Sequence, residues 1–295
     1  MTIFFDKRRV IFVMQKVVSE RLVVSGHYVE RYQYSYPIVP REVRSRVGRS
    51  VVADGVQRLE NRVRVLARAR VSVRRLVDCN PDLNKFFTLT FSDNVTDFDV
   101  ANECFRKYVM RLKYNYKSDL KYLVVPEFQK RGAIHFHVLC NLQYVPVAQL
   151  AELWGFGFCR INRIDNVTNV GLYVSKYIQK QFDDDRLHTK KCYWGSRNLR
   201  RPVVIDTPEV VDSLLSDCES QNAYFSKKVV YQTDMFGAVL YQKIYCKEVV
   251  PILRYANRQY RIKHSAMLLR LHGALLTDEL IPLCQQCSFF CPSSR

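Results

Sequence analysis

The stretch KYLVVPEFQKRGAIHFHVLC, residues 121–140, decides the fold predicted for this chain. Apolar and β-branched residues dominate 121–127 and 134–140, and the polar turn QKRG lies between them. We therefore predict two antiparallel strands joined in a hairpin. Because residues two apart on a strand point to the same face, the side chains of His135 and His137 stand side by side. Two neighbouring imidazoles on an otherwise apolar strand are a natural platform for a divalent metal ion.

The hairpin adds a carboxylate to the two imidazoles. If the strands pair around Arg131, Glu127 lies opposite His135 and Val125 lies opposite His137. Cross-strand neighbours are about 5 Å apart at Cβ, so the Glu127 carboxylate can share one ion with the histidines. This set of two histidines and one carboxylate suits Mn²⁺ or Mg²⁺, and other transition ions remain possible. The alternative is that Glu127 is an exposed charge at the end of a strand.

A helix predicted over 167–182 carries the second pair of candidate residues. Tyr173 and Tyr177 are four residues apart and share one helix face, while Lys176 and Lys180 repeat that spacing on an adjacent stripe. One interpretation is an amphipathic helix whose tyrosines only pack on the sheet. The other is that a tyrosine hydroxyl attacks a phosphodiester. Phenol is a poor nucleophile near neutral pH, so it would need the metal ion and a nearby positive charge such as Lys176.

Local patterns predict further elements on both sides of the hairpin. We expect strands at 85–91 and 155–161, and helices from about 97 to 114 and at 147–154. The first 40 residues form an irregular or strand-rich lead-in, and a second hairpin is expected near 227–247.

The net charge of the 295-residue chain is +18, which favours a polyanionic partner such as nucleic acid. Much of this charge lies in a predicted helix over 41–78, where eleven arginines occur between Arg41 and Arg75. An ordinary solvated helix face would explain the same pattern. The alternative is contact with DNA phosphates, which arginine suits well. The predicted DNA-binding side chains are Arg68, Arg70, Arg74, Arg75 and Lys180.

Targeting features are missing from the sequence. No apolar run reaches the roughly 18–20 residues that a bilayer span needs. Charges from Asp6 to Arg9 follow the first five residues directly, unlike a signal peptide. We therefore expect a cytoplasmic protein without a membrane partner, whose ten cysteines stay reduced. Only Cys284, Cys287 and Cys291 cluster, and free thiols are favoured there over a zinc site because no fourth ligand is evident.

Three segments occur in the order of a known family's motifs. They are FTLTF at 87–91, EFQKRGAIHFH at 127–137 and YVSKYIQK at 173–180. Together they resemble the motifs of HUH-type rolling-circle replication initiators, the replication proteins of small phages, plasmids and integrative elements. The resemblance covers roughly residues 75–182, and the hydrophobic Phe136 fits between its two histidines. The paired tyrosines resemble the two-tyrosine branch typified by microvirus replication proteins.

The resemblance implies a site and a reaction. His135 and His137 would hold the metal, with Glu127 as the third ligand. Tyr173 would attack the scissile phosphate of single-stranded origin DNA, leaving a 5′-phosphotyrosine and a free 3′-OH for polymerase. Tyr177 would perform the second transesterification, and Lys176 would neutralise the phosphate or position the metal.

The resemblance also implies a fold and its boundaries. Family members have an α+β fold with a central antiparallel sheet flanked by helices, a ferredoxin- or RRM-like core. We expect an endonuclease domain at 76–205 between a basic N-terminal extension at 1–75 and a C-terminal extension of unknown role at 206–295. No GxxxxGKS/T motif occurs among the ten glycines, so unwinding is expected of a helicase from the host or the element.

Two other functions remain open at the level of sequence. A transposase or relaxase of the same HUH type would use the same chemistry to move DNA. A non-catalytic, basic nucleic-acid-binding protein would use the histidines and tyrosines only for packing.

Overall fold

The computed structural model of the chain contains two groups of secondary-structure elements. The model describes residues 2–6, 9–13, 18–38, 55–162, 164, 169–183, 185–187, 190–220, 223–233 and 236–248. The clustered cysteines of the C-terminal tail and the arginines of the predicted basic helix that precede residue 55, Arg41, Arg44, Arg46 and Arg49, lie outside these residues. None of the helices in the described ranges combines the length and apolar character needed to cross a bilayer.

Twelve strands and five helices occur in the described residues. The strands are β1 (Thr2–Asp6), β2 (Arg9–Val13), β3 (Val18–Ser25), β4 (Tyr28–Ile38), β5 (Lys85–Phe91), β6 (Tyr122–Phe128), β7 (Ile134–Cys140), β8 (Gly157–Asn162), β9 (Trp194–Gly195), β10 (Val203–Ile205), β11 (Tyr224–Thr233) and β12 (Gly237–Tyr245). The helices are α1 (Gly55–Cys79), α2 (Phe98–Asn115), α3 (Val147–Trp154), α4 (Val170–Gln179) and α5 (Pro208–Ser220). Two 3₁₀ turns, Lys180–Asp183 and Asp185–Leu187, follow α4.

The predicted α+β class is confirmed. Each of the two larger sheets has five antiparallel strands, in the orders β10-β3-β4-β12-β11 and β8-β5-β7-β6-β9. In the second sheet the chain runs β5-α2-β6-β7-α3-β8, which is the β-α-β-β-α-β order of ferredoxin-like folds. The short edge strand β9 completes this sheet.

The hairpin of β6 and β7 has the predicted register. Glu127 pairs with His135 and Val125 pairs with His137, while the turn closes with Gly132 at a φ of 97°. That left-handed conformation is readily available to glycine, because a side chain would clash with the backbone there. The hairpin near 227–247 is confirmed as well, since β11 pairs with β12 across Thr233 and Gly237.

The two compact units divide the chain differently from the three consecutive segments expected. One unit comprises Met1–Val24, Tyr28–Arg41 and Val203–Arg295, and the other comprises Ser25–His27 and Glu42–Pro202. The reason is strand pairing, because β3 pairs with β10 and β4 pairs with β12. The N- and C-terminal segments therefore build one sheet together, whose core packs against α5.

Helix α1 lies in the same compact unit as the β5–β9 sheet. Its Leu66 and Val73 are buried in one apolar cluster with Phe86 and Leu139 of the sheet and Val174 of α4. A second cluster lies on the opposite face of the sheet, under α2 and α3. The sheet is thus packed on both faces, and α1 and α4 lie on the same side of it.

Candidate active site

Strand β7 divides its side chains between the two faces of the sheet. Phe136 and Val138 enter the cluster under α2 and α3. His135 and His137 point to the other face, and Leu139 on that same face packs with α1 and α4. The strand alternation predicted from the sequence therefore places both imidazoles on the side of the tyrosine helix.

Glu127 contacts His137 directly and also binds a lysine. The His137 Nε2 atom lies 2.6 Å from Glu127 Oε2, and the Lys180 Nζ atom lies 2.9 Å from Glu127 Oε1. The carboxylate therefore points toward the histidines, as the hairpin predicted, although its hydrogen bond goes to the diagonal His137 and not to the paired His135. Lys180, expected to bind DNA, lies beside the candidate metal ligand.

A chain of hydrogen bonds fixes the His137 ring from its other side. The Thr88 Oγ1 atom lies 3.2 Å from His137 Nδ1, and the Asn162 side-chain amide donates to Thr88 Oγ1 over 3.0 Å. With Nε2–H donating to the carboxylate of Glu127, Nδ1 accepts from the Thr88 hydroxyl, so both ring nitrogens of His137 have a partner. Three strands, β5, β7 and β8, thus orient one imidazole.

The two tyrosines of α4 meet the histidines on this face. The Tyr177 ring stacks on the His137 ring with centroids 3.8 Å apart and an interplanar angle of 24°. The hydroxyls of Tyr173 and Tyr177 lie 3.4 Å apart. Tyr177 is 9% exposed, and Tyr173 is half-buried. The tyrosine pair and the histidine pair, 36 or more residues apart in the sequence, therefore form one cluster.

Two lysines place positive charge over the tyrosine rings. The Lys176 Nζ atom lies 3.8 Å from the centroid of the Tyr173 ring and 5.2 Å from that of Tyr177. Lys180 Nζ approaches the Tyr177 ring to 5.2 Å while it binds Glu127. Both contacts are within the range of cation–π attraction, and the site is cationic beside its hydroxyls.

Burial controls the protonation of the site. Desolvation lowers the pKa of His135 to about 4, and the neighbouring His137 adds to that effect. Desolvation also lowers the pKa of His137, against the opposing effect of Glu127. Both imidazoles are therefore neutral near pH 7, which is the state that ligates metal ions.

The pKa values of the Glu127 carboxyl group and the Tyr177 phenol are shifted in opposite directions. Burial by itself would raise the pKa of Glu127, but hydrogen bonds from His137 and Lys180 hold that pKa below its usual value. Burial raises the pKa of Tyr177, and the hydrogen bond with Tyr173 raises it further. Glu127 is thus an anion and Tyr177 a neutral phenol near pH 7.

The donor set fits a divalent cation after a small adjustment. The His135 Nε2 atom is buried and has no hydrogen-bond partner, as expected for a ligand atom without its ion. An ion held by an imidazole and a carboxylate at about 2.1 Å each, at a right angle, needs the two ligand atoms about 3 Å apart, slightly more than the 2.6 Å between His137 and Glu127. Within the described residues no three His, Cys, Asp or Glu side chains already converge as a metal cluster. The imidazole rings of His135 and His137 have centroids 6.4 Å apart.

Buried polar contacts hold the end of α4 against β6. The Gln181 side-chain amide donates to the carbonyl oxygens of Pro126 and Cys192, each over 2.9 Å. Arg62 of α1 is 5% exposed and donates to the carbonyl oxygens of Gln181 and Leu187. These contacts fix Lys180 next to Glu127. Neither Gln181 nor Arg62 was identified from the sequence, because their partners are main-chain carbonyls that no side-chain pattern reveals.

The arginines predicted to bind DNA lie on the helix beside α4. Arg68 is exposed on α1, whereas Arg70, Arg74 and Arg75 are half-buried. The two helices approach closely at Gly171, where a Cβ atom would meet the Arg74 Cα at 3.0 Å. The glycine therefore permits the contact that brings this basic helix next to the tyrosines.

One comparison with known proteins matches the part of the chain that contains these residues. Residues 84–182 match the family model of the replication-associated protein ORF2. The matched segment is about a third of the chain and runs from the start of β5 to the turn after α4. It includes the histidines, the tyrosines and both lysines, and it supports a role as a replication initiator. No curated protein and no solved structure matches the chain.

Proposed function

We propose that this chain is a rolling-circle replication initiator that nicks single-stranded DNA at an origin with a tyrosine nucleophile. The proposal rests on one observation: the tyrosine pair of α4 contacts the histidine pair of β7. The Tyr177 ring stacks on the His137 ring with centroids 3.8 Å apart. Mere packing would not require two histidines, a carboxylate and two lysines around the same phenols. The similarity of residues 84–182 to replication-associated proteins supports the same function.

His135, His137 and Glu127 would hold a divalent ion, Mg²⁺ or Mn²⁺. When bound, the ion would polarise the scissile phosphate and offset the charge that develops on it. The neutral imidazoles and the anionic carboxylate are already in the protonation states that ligation requires. Thr88 can accept a hydrogen bond from Nδ1–H of His137 when Nε2 turns its lone pair to the metal, so the ring keeps its orientation.

The reaction is an exchange of one phosphodiester for another. The Tyr173 hydroxyl attacks the phosphorus, so a bond forms between phosphorus and the phenolic oxygen and the bond to the 3′ oxygen breaks. The phenolic proton ends on the departing oxygen, which gives a 5′-phosphotyrosine and a 3′-OH. A second attack of the same kind by Tyr177 frees another 3′-OH. That 3′-OH attacks the first phosphotyrosine, so the strand is rejoined and the phenol of Tyr173 leaves with the proton. The free 3′-OH would prime a polymerase, and a helicase of the host or the element would unwind the duplex.

Tyr173 is the better candidate for the first attack. It is half-buried, and the Lys176 ammonium group lies 3.8 Å from its ring, where it could offset the negative charge of a phosphate beside that phenol. Tyr177 is more buried, has a raised pKa and is packed flat on His137. Its hydroxyl, 3.4 Å from that of Tyr173, is placed to serve the second transesterification.

Trapping of a covalent adduct tests the proposal. The purified chain is incubated with Mn²⁺ and single-stranded DNA that covers the origin of its replicon, and the products are separated under denaturing conditions. We expect a covalent protein–DNA adduct that disappears in Tyr173→Phe and in His135→Ala. Tyr177→Phe should keep the first adduct and lose strand rejoining.

A matched control is available on the other side of the sheet. Tyr114 of α2 is 91% exposed, so Tyr114→Phe should leave adduct formation unchanged. Tight DNA binding without an adduct at any origin sequence would contradict the nuclease and favour the non-catalytic binding protein. An adduct that persists in Tyr173→Phe but disappears in Tyr177→Phe would reverse the two roles.

A further inference from the structure

The edge strand β8 presents an aromatic and a cationic side chain to solvent. Phe158 is 68% exposed and Arg160 is exposed, whereas Cys159 between them is partly buried and packs toward the core under α2. In the described residues Arg160 makes no ion pair. A ring that is two-thirds exposed contributes little to the core, so its face is available to a partner.

The strand register places this pair on the face of the active site. Phe158 pairs with Thr90, which pairs in turn with His135. One row further along, Arg160 pairs with Thr88, which pairs with His137. Since cross-strand partners share a face and strands are about 4.8 Å apart, Phe158 and Arg160 lie about 10 Å from the histidines on the same surface.

The chemistry of this surface fits an unpaired nucleotide. An exposed aromatic face stacks on a nucleobase whatever its identity, and a guanidinium group binds the phosphate that follows it. In a duplex the faces of a base are covered by its neighbours, so only a single or splayed strand offers the ring a partner. The net charge of +18 and the lysines at the site favour a polyanion over an apolar protein partner.

We propose that Phe158 and Arg160 form a subsite that holds one base and one phosphate of the single strand next to the scissile bond. Phe158 stacks on the base, and Arg160 binds the phosphate. The cross-strand row of Phe158, Thr90 and His135 then sets the path of the DNA strand across the sheet toward the tyrosines. This inference rests on the proposed nicking function, and it adds the element that positions the substrate.

Binding without cleavage tests the subsite. The full chain is titrated into a fluorescein-labelled oligothymidylate of about 20 nucleotides in EDTA, and anisotropy gives the Kd. Phe158→Ala should weaken binding by about 5- to 100-fold, and Phe158→Trp should restore it. Arg160→Gln should make the dependence of log K on log salt less steep. The magnitude of the slope should fall by about 0.7, the value for one phosphate contact on a single strand. Because both side chains are exposed, none of these changes should affect folding.

A spectroscopic measurement separates stacking from general effects. Trp154 is fully buried and Trp194 is partly buried, so the indole introduced by Phe158→Trp is the one that iodide quenches most in the free protein. Addition of the oligothymidylate should quench its emission and shield it from iodide. Tyr114→Trp, on the other side of the sheet, should show neither effect.

The outcomes distinguish the subsite from the nuclease. Weaker single-strand binding in Phe158→Ala, with unchanged binding to duplex DNA, supports the subsite even if no variant forms an adduct. Unchanged binding in Phe158→Ala, while the wild type forms its adduct, overturns the subsite and leaves the proposed function intact. If Phe158→Ala instead abolishes a concentration-dependent dimer and leaves DNA binding unchanged, the ring serves a contact between copies of the chain, and the subsite is wrong.

Discussion

At the scale of single residues, His137 is the most constrained side chain of the site. It bonds to Glu127 at one nitrogen and to Thr88 at the other, and the Tyr177 ring covers its face. Outer partners of a metal-ligating histidine set its tautomer and ring orientation, and their loss commonly costs 10- to 100-fold in metal affinity. Thr88 therefore belongs to the proposed metal site although it contacts no ion itself.

We predict that Thr88→Val weakens Mn²⁺ binding by about tenfold, because valine keeps the shape of threonine but leaves Nδ1 of His137 without its partner. Thr88→Ser should retain the affinity of the wild type. The measurement is a Mn²⁺ titration followed by electron paramagnetic resonance of the free ion, in the absence of DNA.

Thr90→Val is the matched control for this prediction. Thr90 lies on the same face of β5 and pairs with His135, but in the described residues its hydroxyl forms no hydrogen bond to a histidine. If Thr88→Val and Thr90→Val change the Mn²⁺ affinity equally, the threonine does not act through the imidazole.

The residues that could be found from the sequence are those joined by short-range geometry. His135 and His137 are two apart on a strand, Tyr173 and Tyr177 are four apart on a helix, and Glu127 follows from the register of a tight hairpin. Thr88 and Asn162 could not be assigned roles, since their positions depend on how three strands far apart in the sequence pair. The contact of Lys180 with Glu127 could not be foreseen either, because a helix pattern does not reveal which side chain reaches across to a strand.

At the scale of elements, the site depends on where α4 begins. The Asn169 side chain accepts a hydrogen bond from the backbone N–H of Leu172 at 2.7 Å and so caps the helix that carries both tyrosines. A cap satisfies a donor that the helix leaves unpaired at its first turn. The helix is only ten residues long, so its first turn is a large part of it.

We predict that Asn169→Ala lowers the free energy of unfolding by about 1 kcal/mol, while Asn169→Asp, which keeps the acceptor, lowers it by only a few tenths. Urea unfolding followed by circular dichroism measures both. Metal binding should be unchanged in both variants, because β6 and β7 supply the ligands. Equal losses in the two variants would show that the amide group, and not the cap acceptor, stabilises the helix.

Elements were predictable where their partners are close in the sequence. The hairpin of β6 and β7 and that of β11 and β12 were both expected, because a turn of a few residues fixes the pairing. Strand β9 was missed, since two residues, Trp194 and Gly195, carry no periodic pattern. The pairing of β4 with β12 was missed because about 200 residues separate the two strands, and no local rule selects such a partner.

At the scale of the whole molecule, the boundaries of the unit that holds the β5–β9 sheet follow from its cores. Both apolar clusters of the β5–β9 sheet consist of residues between Leu66 and Leu199. Every strand of this sheet also lies within those limits. Helix α1 completes one of the clusters, so a domain that starts at residue 76 would lack part of its own core.

We predict that a fragment of residues 42–202 folds cooperatively and forms the same covalent adduct as the full chain, whereas a fragment of 76–205 does not fold. The shorter fragment loses Leu66 and Val73, which are 4% and 0% exposed, and each such side chain contributes about 1.5–3 kcal/mol when buried. It also loses Arg62, which leaves the carbonyl oxygens of Gln181 and Leu187 without their donor. These losses approach the whole stability of an ordinary domain, about 5–15 kcal/mol.

Urea unfolding of the two fragments, followed by circular dichroism and compared with the full chain, decides between these boundaries. A single transition in 42–202 and none in 76–205 would show that α1 is part of the core of the β5–β9 unit, and that its arginines are held beside α4 by packing and not by bound DNA. Cooperative unfolding of 76–205 would mean instead that α1 is dispensable, and the basic helix would then be an extension as the sequence suggested. Failure of 42–202 to fold would mean that the sheet of β5–β9 needs the strands of the other unit, so the full chain would be the smallest active form.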